Sequence, residues 1–528
     1  MDSSQDVQLP ALDASRVWLP GIVDRLASFL SANEIACTLR LVNKAAALQF
    51  PVYKTVHLSL TSPQHAFKQR WGSALAYRGL SRKQRLEFLK LTAISGNVAN
   101  MEVALDSAGL PITTQLQEAA AAAGHLHINT LLHSRGCPWD SSLGAAARGG
   151  HQQSCEKMLA SGCPFRQDAV YEAASGGHEV LMYWLLWRFG NGPAKSSVDA
   201  GSLLMAAAEG LRLASLQRLH QRTMAGWDAA IEQPAALDRE QKGRVLSAAT
   251  ASLTPDWQAK VEWLEGLGYP RTGFACEFAA ARLLDDDAVD RLQWLCGRGY
   301  PPSSLAADCA VVTGNLAALS FLMQQRPGLW PREFACNTAA EKGHLPILQH
   351  LHTSGFPVSP QQVARSAAGE GHLHVVAWAV EALNVTPNNA PDLFDMAAKG
   401  ANIALLTWLR ERGWTWGPEA VSSAAEGGCE EALEWLVLEQ GCPLPADGRP
   451  YRHAARHGDL ATVRCLHRLG CPWGPHQIAD CIAHSAPIPV LRCLVELGCP
   501  VDWEEDVRAA KAHDSVEYHT ALMEWLQQ

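Results

Sequence analysis

Cysteine and histidine are the residues of this 528-residue chain that could do chemistry, and both recur in a fixed frame. A zinc site needs four converging ligands, usually from local Cys-x-x-Cys pairs, and acid–base catalysis needs one group of residues around one substrate. Here cysteine occurs once in each phrase Gly-Cys-Pro, and Gly-His recurs as a phrase of its own. We therefore interpret the cysteines as small apolar residues and the histidines as hydrogen-bonding residues of turns. These cysteines are Cys137, Cys163, Cys442, Cys471 and Cys499. These histidines are His125, His151, His178, His344 and His372.

Motifs of the common catalytic sites are missing from the sequence. It contains no P-loop, no Gly-x-Gly-x-x-Gly after a strand, no HExxH and no GxSxG. The acidic run from Asp285 to Asp287 is interpreted as a solvated cap in a turn, and the denser cysteines from Cys465 to Cys499 follow the same frame as the others. We predict no catalytic residue, no metal and no cofactor. A metal- or thiol-dependent enzyme is the less favoured alternative.

The phrase Gly-Cys-Pro-Trp and its variants divide most of the chain into units of 26 to 31 residues. Each unit has a segment ending in alanines, a glycine turn, and a second segment with apolar residues at helical spacing. Alanine favours helix and lets two helices approach closely, and a closing glycine followed by proline ends a helix. The order predicts a helix–turn–helix unit that buries its apolar face by stacking on its neighbours. The closing phrases begin at Gly136, Gly162, Gly268, Gly299, Gly355, Gly413, Gly441, Gly470 and Gly498.

The consensus AAxxGHLxxLxxLxxxGCPWD resembles the second half of the ankyrin repeat. The resemblance covers roughly residues 83–528, or about fifteen units, and implies an all-α, helix–turn–helix repeat solenoid. Two features depart from that family: the unit is about 28 residues against about 33, and the Thr-Pro-Leu-His opening is missing. The nearest alternative is another solenoid of helical pairs.

Interruptions of the repeat define the predicted domain organisation. We assign residues 81–528 to the repeat array, with insertions near 191–201 and 227–243, where the spacing lengthens. Insertions in solenoids fall in loops on one face. Residues 516–528 are predicted to form a terminal cap.

A different pattern precedes the array. Residues 1–15 are predicted to be disordered, and residues 16–80 to form a small helical module. The stretch Leu19-Pro20, followed by apolar residues at helical spacing and Arg-Leu-Val-Asn-Lys, resembles an F-box, although the usual acidic and aromatic residues of that motif are missing. The resemblance implies that the module docks the adaptor of a cullin-type ubiquitin ligase. The implied adaptor-binding residues are Leu19, Pro20, Ile22, Leu26, Leu30 and Ile35.

Tryptophan is frequent, with 18 residues, and falls into two classes. One class keeps the register of the second helix and is predicted to be core. The other class lies near the closing phrase, where aromatic side chains could bind a target, although packing between tips is the more ordinary role. These candidate target-binding residues are Trp139, Trp414, Trp416, Trp473 and Trp503.

Charge and composition complete the prediction. The net charge is −9 for the chain and +3 for residues 1–80, so we expect the module and the array to meet different partners. We exclude nucleic acid because a general nucleic-acid binder has a basic footprint. We exclude a membrane because no apolar run reaches the roughly 18 residues of a span. Fifteen cysteines without a visible secretory signal favour the cytoplasm or nucleus. The predicted function is that of a non-catalytic substrate-recognition subunit of a cullin-type ligase, and the alternative is a scaffold without a ligase role.

Overall fold

The computed structural model describes residues 20–190, 197–226, 231–232, 237–283, 285–512, 520, 522–523 and 525. The predicted disordered segment 1–15 and the candidate Leu19 lie outside these residues, as does most of the predicted cap 516–528. Pro20 begins the first helix, but its side chain is outside the description. Among the described residues, no helix is both long enough and apolar enough to cross a membrane.

Four short helices of the described residues precede the array. Ser31 begins the second of them with a capping box, in which its hydroxyl accepts from the Glu34 amide and the Glu34 carboxylate accepts from the Ser31 amide. Asn43 caps the third helix through the amide of Ala46. The helices are α1 (Pro20–Ala27), α2 (Ala32–Cys37), α3 (Lys44–Gln49) and α4 (Gln64–Trp71), with single 3₁₀ turns at Leu39–Leu41 and Ala74–Tyr77.

Fourteen helical pairs and one further helix follow in the described part of the array. The first seven pairs are α5 (Arg82–Ile94) with α6 (Val98–Ser107), α7 (Thr114–Ala122) with α8 (Leu126–Ser134), α9 (Ser142–Arg148) with α10 (Gln152–Ala160), α11 (Asp168–Ser175) with α12 (Glu179–Gly190), α13 (Ala200–Gly210) with α14 (Leu213–Met224), α15 (Arg239–Thr250) with α16 (Trp257–Gly266), and α17 (Phe274–Arg282) with α18 (Asp285–Gly297). The next four are α19 (Ser304–Thr313) with α20 (Leu316–Gln325), α21 (Glu333–Glu341) with α22 (Leu345–Thr353), α23 (Pro360–Gly369) with α24 (Leu373–Leu383), and α25 (Leu393–Lys399) with α26 (Ile403–Glu411). The last are α27 (Ala420–Gly427) with α28 (Glu430–Glu434), which continues as a π-helical turn over Trp435–Glu439, α29 (Arg449–Arg456) with α30 (Leu460–Arg468), α31 (Gln477–Ala483) with α32 (Ile488–Glu496), and the lone α33 (Trp503–Lys511).

The predicted all-α, helix–turn–helix repeat solenoid is confirmed. The first helix of each pair packs closely on the first helices of both neighbouring pairs, because the facing residues are mostly alanine. The second helices carry larger residues such as Leu405, Leu406 and Leu409, and they lie further apart. Close packing on one side and wide packing on the other curve the stack, with the first helices on the inner side.

The Gly-His turns join successive units. The ring of His151 lies against Gly124 of the preceding turn, where a Cβ would come within 2.6 Å of the imidazole. Gly124 also has a φ of +78°, a left-handed conformation that glycine adopts without strain. The same holds at Gly96, Gly150, Gly314 and Gly343, each of which makes room for the histidine of the next unit.

The long step between Gly190 and Gly268 holds two complete pairs, α13/α14 and α15/α16. The predicted insertions 191–201 and 227–243 lie partly outside the described residues. The described parts include two two-residue strands, β1 (Val198–Asp199) and β2 (Ile231–Glu232), which pair in parallel with Val198 opposite Ile231. They also include the beginnings of α13 and α15, so the helices resume before the predicted insertions end.

Two small cores lie at the amino-terminal end of the described chain. The first is formed by Val23, Ala27, Ile35 and Phe50, all from the segment that contains α1 to α3. The second joins α4 and the following 3₁₀ turn to the array through a cluster of rings. Its members are Phe67, Trp71, Tyr77 and Phe88 of α5.

The segment 57–62 connects these two cores. The buried side chain of Asn33 donates to the carbonyl oxygen of His57 at 2.8 Å and to that of Leu60 at 3.1 Å, and it accepts from the His57 amide at 2.9 Å. On the other side, Asn100 of α6 donates to the carbonyl oxygen of Ser62 at 2.9 Å. Buried amide side chains therefore hold the module against the first pair of the array.

Candidate functional site

The inner surface of the array carries pairs of opposite charges between successive first helices. Arg365 of α23 binds Asp392 beside α25 with nitrogen–oxygen distances of 2.8–3.0 Å, and Arg452 of α29 binds Asp480 of α31 at 2.9 Å. Glu426 of α27 lies between cations on both sides, since it binds Lys399 and Arg456. This surface therefore alternates in sign from unit to unit and offers a partner both donors and acceptors.

Glu209 is the centre of a groove on this inner surface. Its carboxylate, on α13, binds Arg148 of α9 at 3.4 Å and also binds Arg282 of α17. Both arginines lie on first helices two units away. The groove has a volume of about 730 Å³, and Leu253 contributes an exposed apolar side chain to its wall. A second groove of about 770 Å³ lies on the other side of Arg148 and is lined also by Lys90 and Glu118. Open, charged grooves of this kind fit segments of a macromolecule better than an enclosed small molecule.

Two of the candidate tryptophans are buried, which corrects the prediction that they bind a target. Trp139 is 6% exposed and stacks on His133 with ring centroids 4.4 Å apart. Trp414 is 2% exposed, and its indole donates to the carbonyl oxygen of Ala390 at 2.9 Å. Trp414 directly follows the closing glycine and so occupies the position that Cys137 holds in its own unit. Neither ring is available to a partner without a rearrangement.

The other candidate tryptophans keep some surface. Trp416 and Trp473 are half-buried, the first under the guanidinium of Arg410 at 4.4 Å and the second on Tyr451 with centroids 4.2 Å apart. Trp503 begins α33 and is 58% exposed. These three stay candidates for contact with a target.

The module presents an apolar surface on α1. Ile22 and Leu26 lie one turn apart and are 56% and 55% exposed. Leu30 is half-buried and Ile35 is buried, and both pack in the core of the module. The adaptor-binding candidates therefore divide into two that face outward, two that hold the module together, Pro20 at the start of α1, and Leu19 outside the described residues.

Further large apolar side chains of the module are exposed. The sequence analysis noted apolar residues at helical spacing in this segment but did not single out Phe29 or Val42 as contact residues. The short length of the helices could have predicted this exposure. Helices of six to eight residues are too short to bury all the apolar residues they carry. The additional exposed residues are Phe29, Leu41, Val42, Leu48 and Val52.

The recurrent cysteines occupy an apolar slot at the end of each second helix. The amides of Cys137 and Cys471 donate at 3.0 Å to the carbonyl oxygens of Leu132 and Leu466, five residues earlier, which is the long bond of a Schellman motif. Tyr300 makes the same bond to Leu295 in its unit. Because an aromatic ring fills the slot where other units have cysteine, the slot requires an apolar side chain and no sulfur chemistry.

The described cysteines are free thiols, and most are buried. Burial raises the pKa of Cys137 to about 11 and that of Cys471 to about 12, so these thiols stay protonated at neutral pH. One described group could offer three metal ligands, namely Glu430, Glu434 and Cys465. Both of its carboxylates already bind Arg468 at 2.8 Å, which satisfies them as ion pairs.

The turn histidines bind backbone carbonyls of the preceding unit. His151 and His178 lie 3.0 and 3.1 Å from the carbonyl oxygens of Ala122 and Arg148, at the ends of α7 and α9. Lys260 takes this role in a unit without Gly-His and donates to the carbonyl oxygen of Ala208 at 2.9 Å. These side chains satisfy helix ends, a structural role that agrees with the sequence-based interpretation.

Comparison with known proteins identifies no sequence family. No protein-family model matches the chain, and no curated protein matches it. Solved structures of the pentatricopeptide repeat protein PPR10 match at 12% identity. A complex of PPR10 with an 18-nt psaJ RNA element covers 98% of this chain and 85% of its own, with a TM-score of 0.26. PPR10 from maize covers 94% of this chain and 92% of its own, with a TM-score of 0.27.

One prediction is corrected. We excluded nucleic acid as a partner from the net charge, and the matched structures include complexes of PPR10 with an RNA element. The exclusion is wrong because net charge averages over surfaces that a repeat array presents separately. The RNA belongs to PPR10, and the fold of the present chain rests on its own helices.

Proposed function

We propose that this chain is a non-catalytic binding protein with two separate docking surfaces. The inner surface of the ankyrin-like array holds a protein target, and the apolar surface of the F-box-like module docks a second protein. The finer proposal is a substrate-recognition subunit of a cullin-type ubiquitin ligase, in which the module binds the ligase adaptor. Such a subunit contributes proximity, because it holds the target beside the ligase.

The exposed apolar surface on α1 is the observation that carries this proposal. Ile22 and Leu26 lie on the same side of one helix, while Val23 and Ala27 of that helix fill the core of the module. A contiguous exposed apolar patch on a small module is the usual mark of a protein-binding site. The positive charge of residues 1–80 differs from that of the array, which is consistent with a second partner.

The test is a pull-down of the full chain with the adaptor of a cullin-type ligase. Replacing Ile22 and Leu26 together by Asp places charge in the apolar contact and should abolish capture of the adaptor. Ser28→Asp adds one negative charge, against the two of the double variant, at an exposed position of the same segment and serves as the control. Both side chains of the double variant are already exposed, so the thermal midpoint of the array should stay unchanged.

The inner surface is tested with the same protein. Replacing both Arg148 and Arg282 by Ala removes the cations on either side of Glu209 and should weaken capture of co-purifying targets, while adaptor binding persists. If the parent chain never captures the adaptor, the ligase proposal falls. The plain scaffold, which holds partners without a ligase, then takes its place.

A further inference from the structure

Two regions of the array that are far apart in sequence are in contact. The residues between Arg78 and Pro111 pack against those between Gly428 and Ala461, and the side chains of Arg85 and Asp459 meet across 374 residues of chain. In a simple stack each unit contacts its immediate neighbours alone. The array must therefore curve through one full turn, so that the turns of late units lie on the first pair. We call this contact the closure interface.

A buried ion pair lies at the centre of the closure interface. Arg85 of α5 and Asp459 at the start of α30 both have side chains that are 1% exposed. The guanidinium binds both carboxylate oxygens of Asp459, the contact through Nη1 measuring 3.0 Å. It also donates to the carbonyl oxygens of Ala108 at 3.0 Å and Gly428 at 2.6 Å. A buried charge is tolerated when it is paired and fully hydrogen-bonded. Both conditions are met while the two regions are in contact, so this ion pair favours the contact.

Asp459 is held in position from its own side as well. Its carboxylate accepts from the amide of Thr462 at 3.1 Å and from the hydroxyl of Thr462 at 2.9 Å, so it also caps α30. A carboxylate fixed by the cap presents its remaining lone pairs to the fork of Arg85. The carboxylate of Asp459 is therefore held in position by contacts within its own unit.

Backbone contacts surround the ion pair. The Leu460 amide donates to the carbonyl oxygen of Gly109 at 3.1 Å, and a Cβ on Gly109 would lie 2.8 Å from that of Ala461. A Cβ on Gly458 would come within 2.6 Å of Pro111. Glycine at these two positions lets the chains approach closely, which shows that the two surfaces are complementary in shape as well as in charge.

A second group of contacts extends the interface toward α28. Arg78 makes two of these contacts. Its carbonyl oxygen accepts from the Glu431 amide at 3.1 Å, and its guanidinium binds the carboxylate of Glu434. At the exposed edge, Lys83 binds Glu370 at 2.6 Å. The interface thus spans several turns of the late units.

We propose that the closure interface holds the array as a closed superhelical turn in solution, and that its opening controls access to the inner surface. In the closed form a partner reaches the first helices along the superhelical axis, whereas a bulky folded partner requires separation of the two regions. This inference does not depend on the docking function of the module.

The experiment compares full-length variants by small-angle X-ray scattering and by hydrogen exchange. Arg85→Leu removes the central charge, and Ala461→Trp inserts a ring against Gly109 without touching the ion pair. The control is Arg218→Ala, which removes the ion pair with Glu179 between neighbouring units away from the interface. We expect both interface variants to have a larger radius of gyration than the parent and faster amide exchange in 78–111 and 428–461, with unchanged helical circular dichroism. The control should match the parent.

Two results would overturn the proposal. One is a parent scattering curve that already corresponds to an open array. The other is an Ala461→Trp variant that keeps its helical signal while its dimensions and exchange rates equal those of the parent. Ala461→Trp decides the matter if Arg85→Leu fails to fold.

Discussion

His151 lies with Nε2 3.0 Å from the carbonyl oxygen of Ala122, at the end of the first helix of the preceding unit. The contact joins two units through a group that the earlier helix cannot satisfy by itself. We expect His151→Ala to lower the free energy of unfolding by about 1 kcal/mol, the typical net value of one such bond. Urea unfolding measures the change, and His127→Ala at an exposed position of α8 is the control. An equal loss in both variants would contradict the role of the turn histidine.

Gly124 and His151 should be energetically coupled. Gly124→Ala puts a Cβ at a φ of +78° and within 2.6 Å of the imidazole, so it should cost more than about 1 kcal/mol of unfolding free energy. In the presence of His151→Ala the cost of the clash with the imidazole disappears, and only the cost of the left-handed backbone conformation remains. The double variant should therefore lose less unfolding free energy, measured by urea unfolding, than the sum of the losses in the two single variants. Strict additivity would mean that the ring does not restrict this turn.

The cysteine slot should accept alanine. Replacing Cys137 or Cys471 by Ala removes one buried sulfur and should cost about 1 kcal/mol of unfolding free energy or slightly more. Cys137→Asp, which places a charge in the same slot, should cost several kcal/mol. Thermal unfolding distinguishes the two, together with metal analysis of the purified protein. Loss of a bound metal in the alanine variants would show that the slot is a ligand site.

The fold could be predicted because its signals are local. The alanine segments, the turn glycines and the spacing of Gly-Cys-Pro all act within one unit or between neighbours, so they are visible in the sequence period. The burial of Lys260 could not be predicted in this way. Lys260 takes the role of the turn histidine in a unit without Gly-His, and nothing in the residues around it indicates that it is buried.

The candidate site was less predictable because it depends on three-dimensional packing. Trp414 directly follows a closing glycine, whereas Trp139 comes three residues after Gly136. The sequence does not show that the first indole is buried against the carbonyl oxygen of Ala390 while the second stacks on His133. The pairing of Arg85 with Asp459 has no local signature, since it arises from curvature accumulated over many units. Partial burial of the short module helices also decides which apolar residues face outward.

Cys296 should be the most reactive of the described thiols. A hydrogen bond from Cys276 lowers the pKa of Cys296 below its usual range, and the side chain is partly exposed. Burial raises the pKa of the other partly exposed thiols, Cys37 and Cys309. Limited alkylation at pH 7 with peptide mapping should modify Cys296 first, because the thiolate is the nucleophile. Cys276→Ala should slow that modification, and equal labelling rates in parent and variant would contradict the hydrogen bond.

Acidification should weaken the closure interface through His457. Burial, reinforced by the cations of Arg82 and Arg456, lowers the pKa of His457 to about 4. The neutral ring accepts from Arg456 Nε at 3.3 Å, which agrees with this direction. A free histidine titrates near pH 6.5, so between about pH 6.5 and 4 the unfolded or opened chain binds a proton that the closed form does not. Stability is therefore complete above about pH 6.5 and falls as the pH drops toward 4.

The groups that face His457 modify this response. Glu426 and Asp459 are the anions near the ring, and the cations around Glu426 lower the pKa of its carboxyl despite its burial. Loss of the Glu426 charge therefore adds to the decline at the acidic end of the range. His457→Gln removes the imidazole but not Glu426. Between pH 6.5 and 5 the unfolding midpoint of this variant should depend less on pH than that of the parent, whereas His127→Gln should follow the parent. Equal slopes in the parent and His457→Gln would show that the ring titrates as freely in the closed form as in the unfolded chain, and acid opening through this residue would then be ruled out.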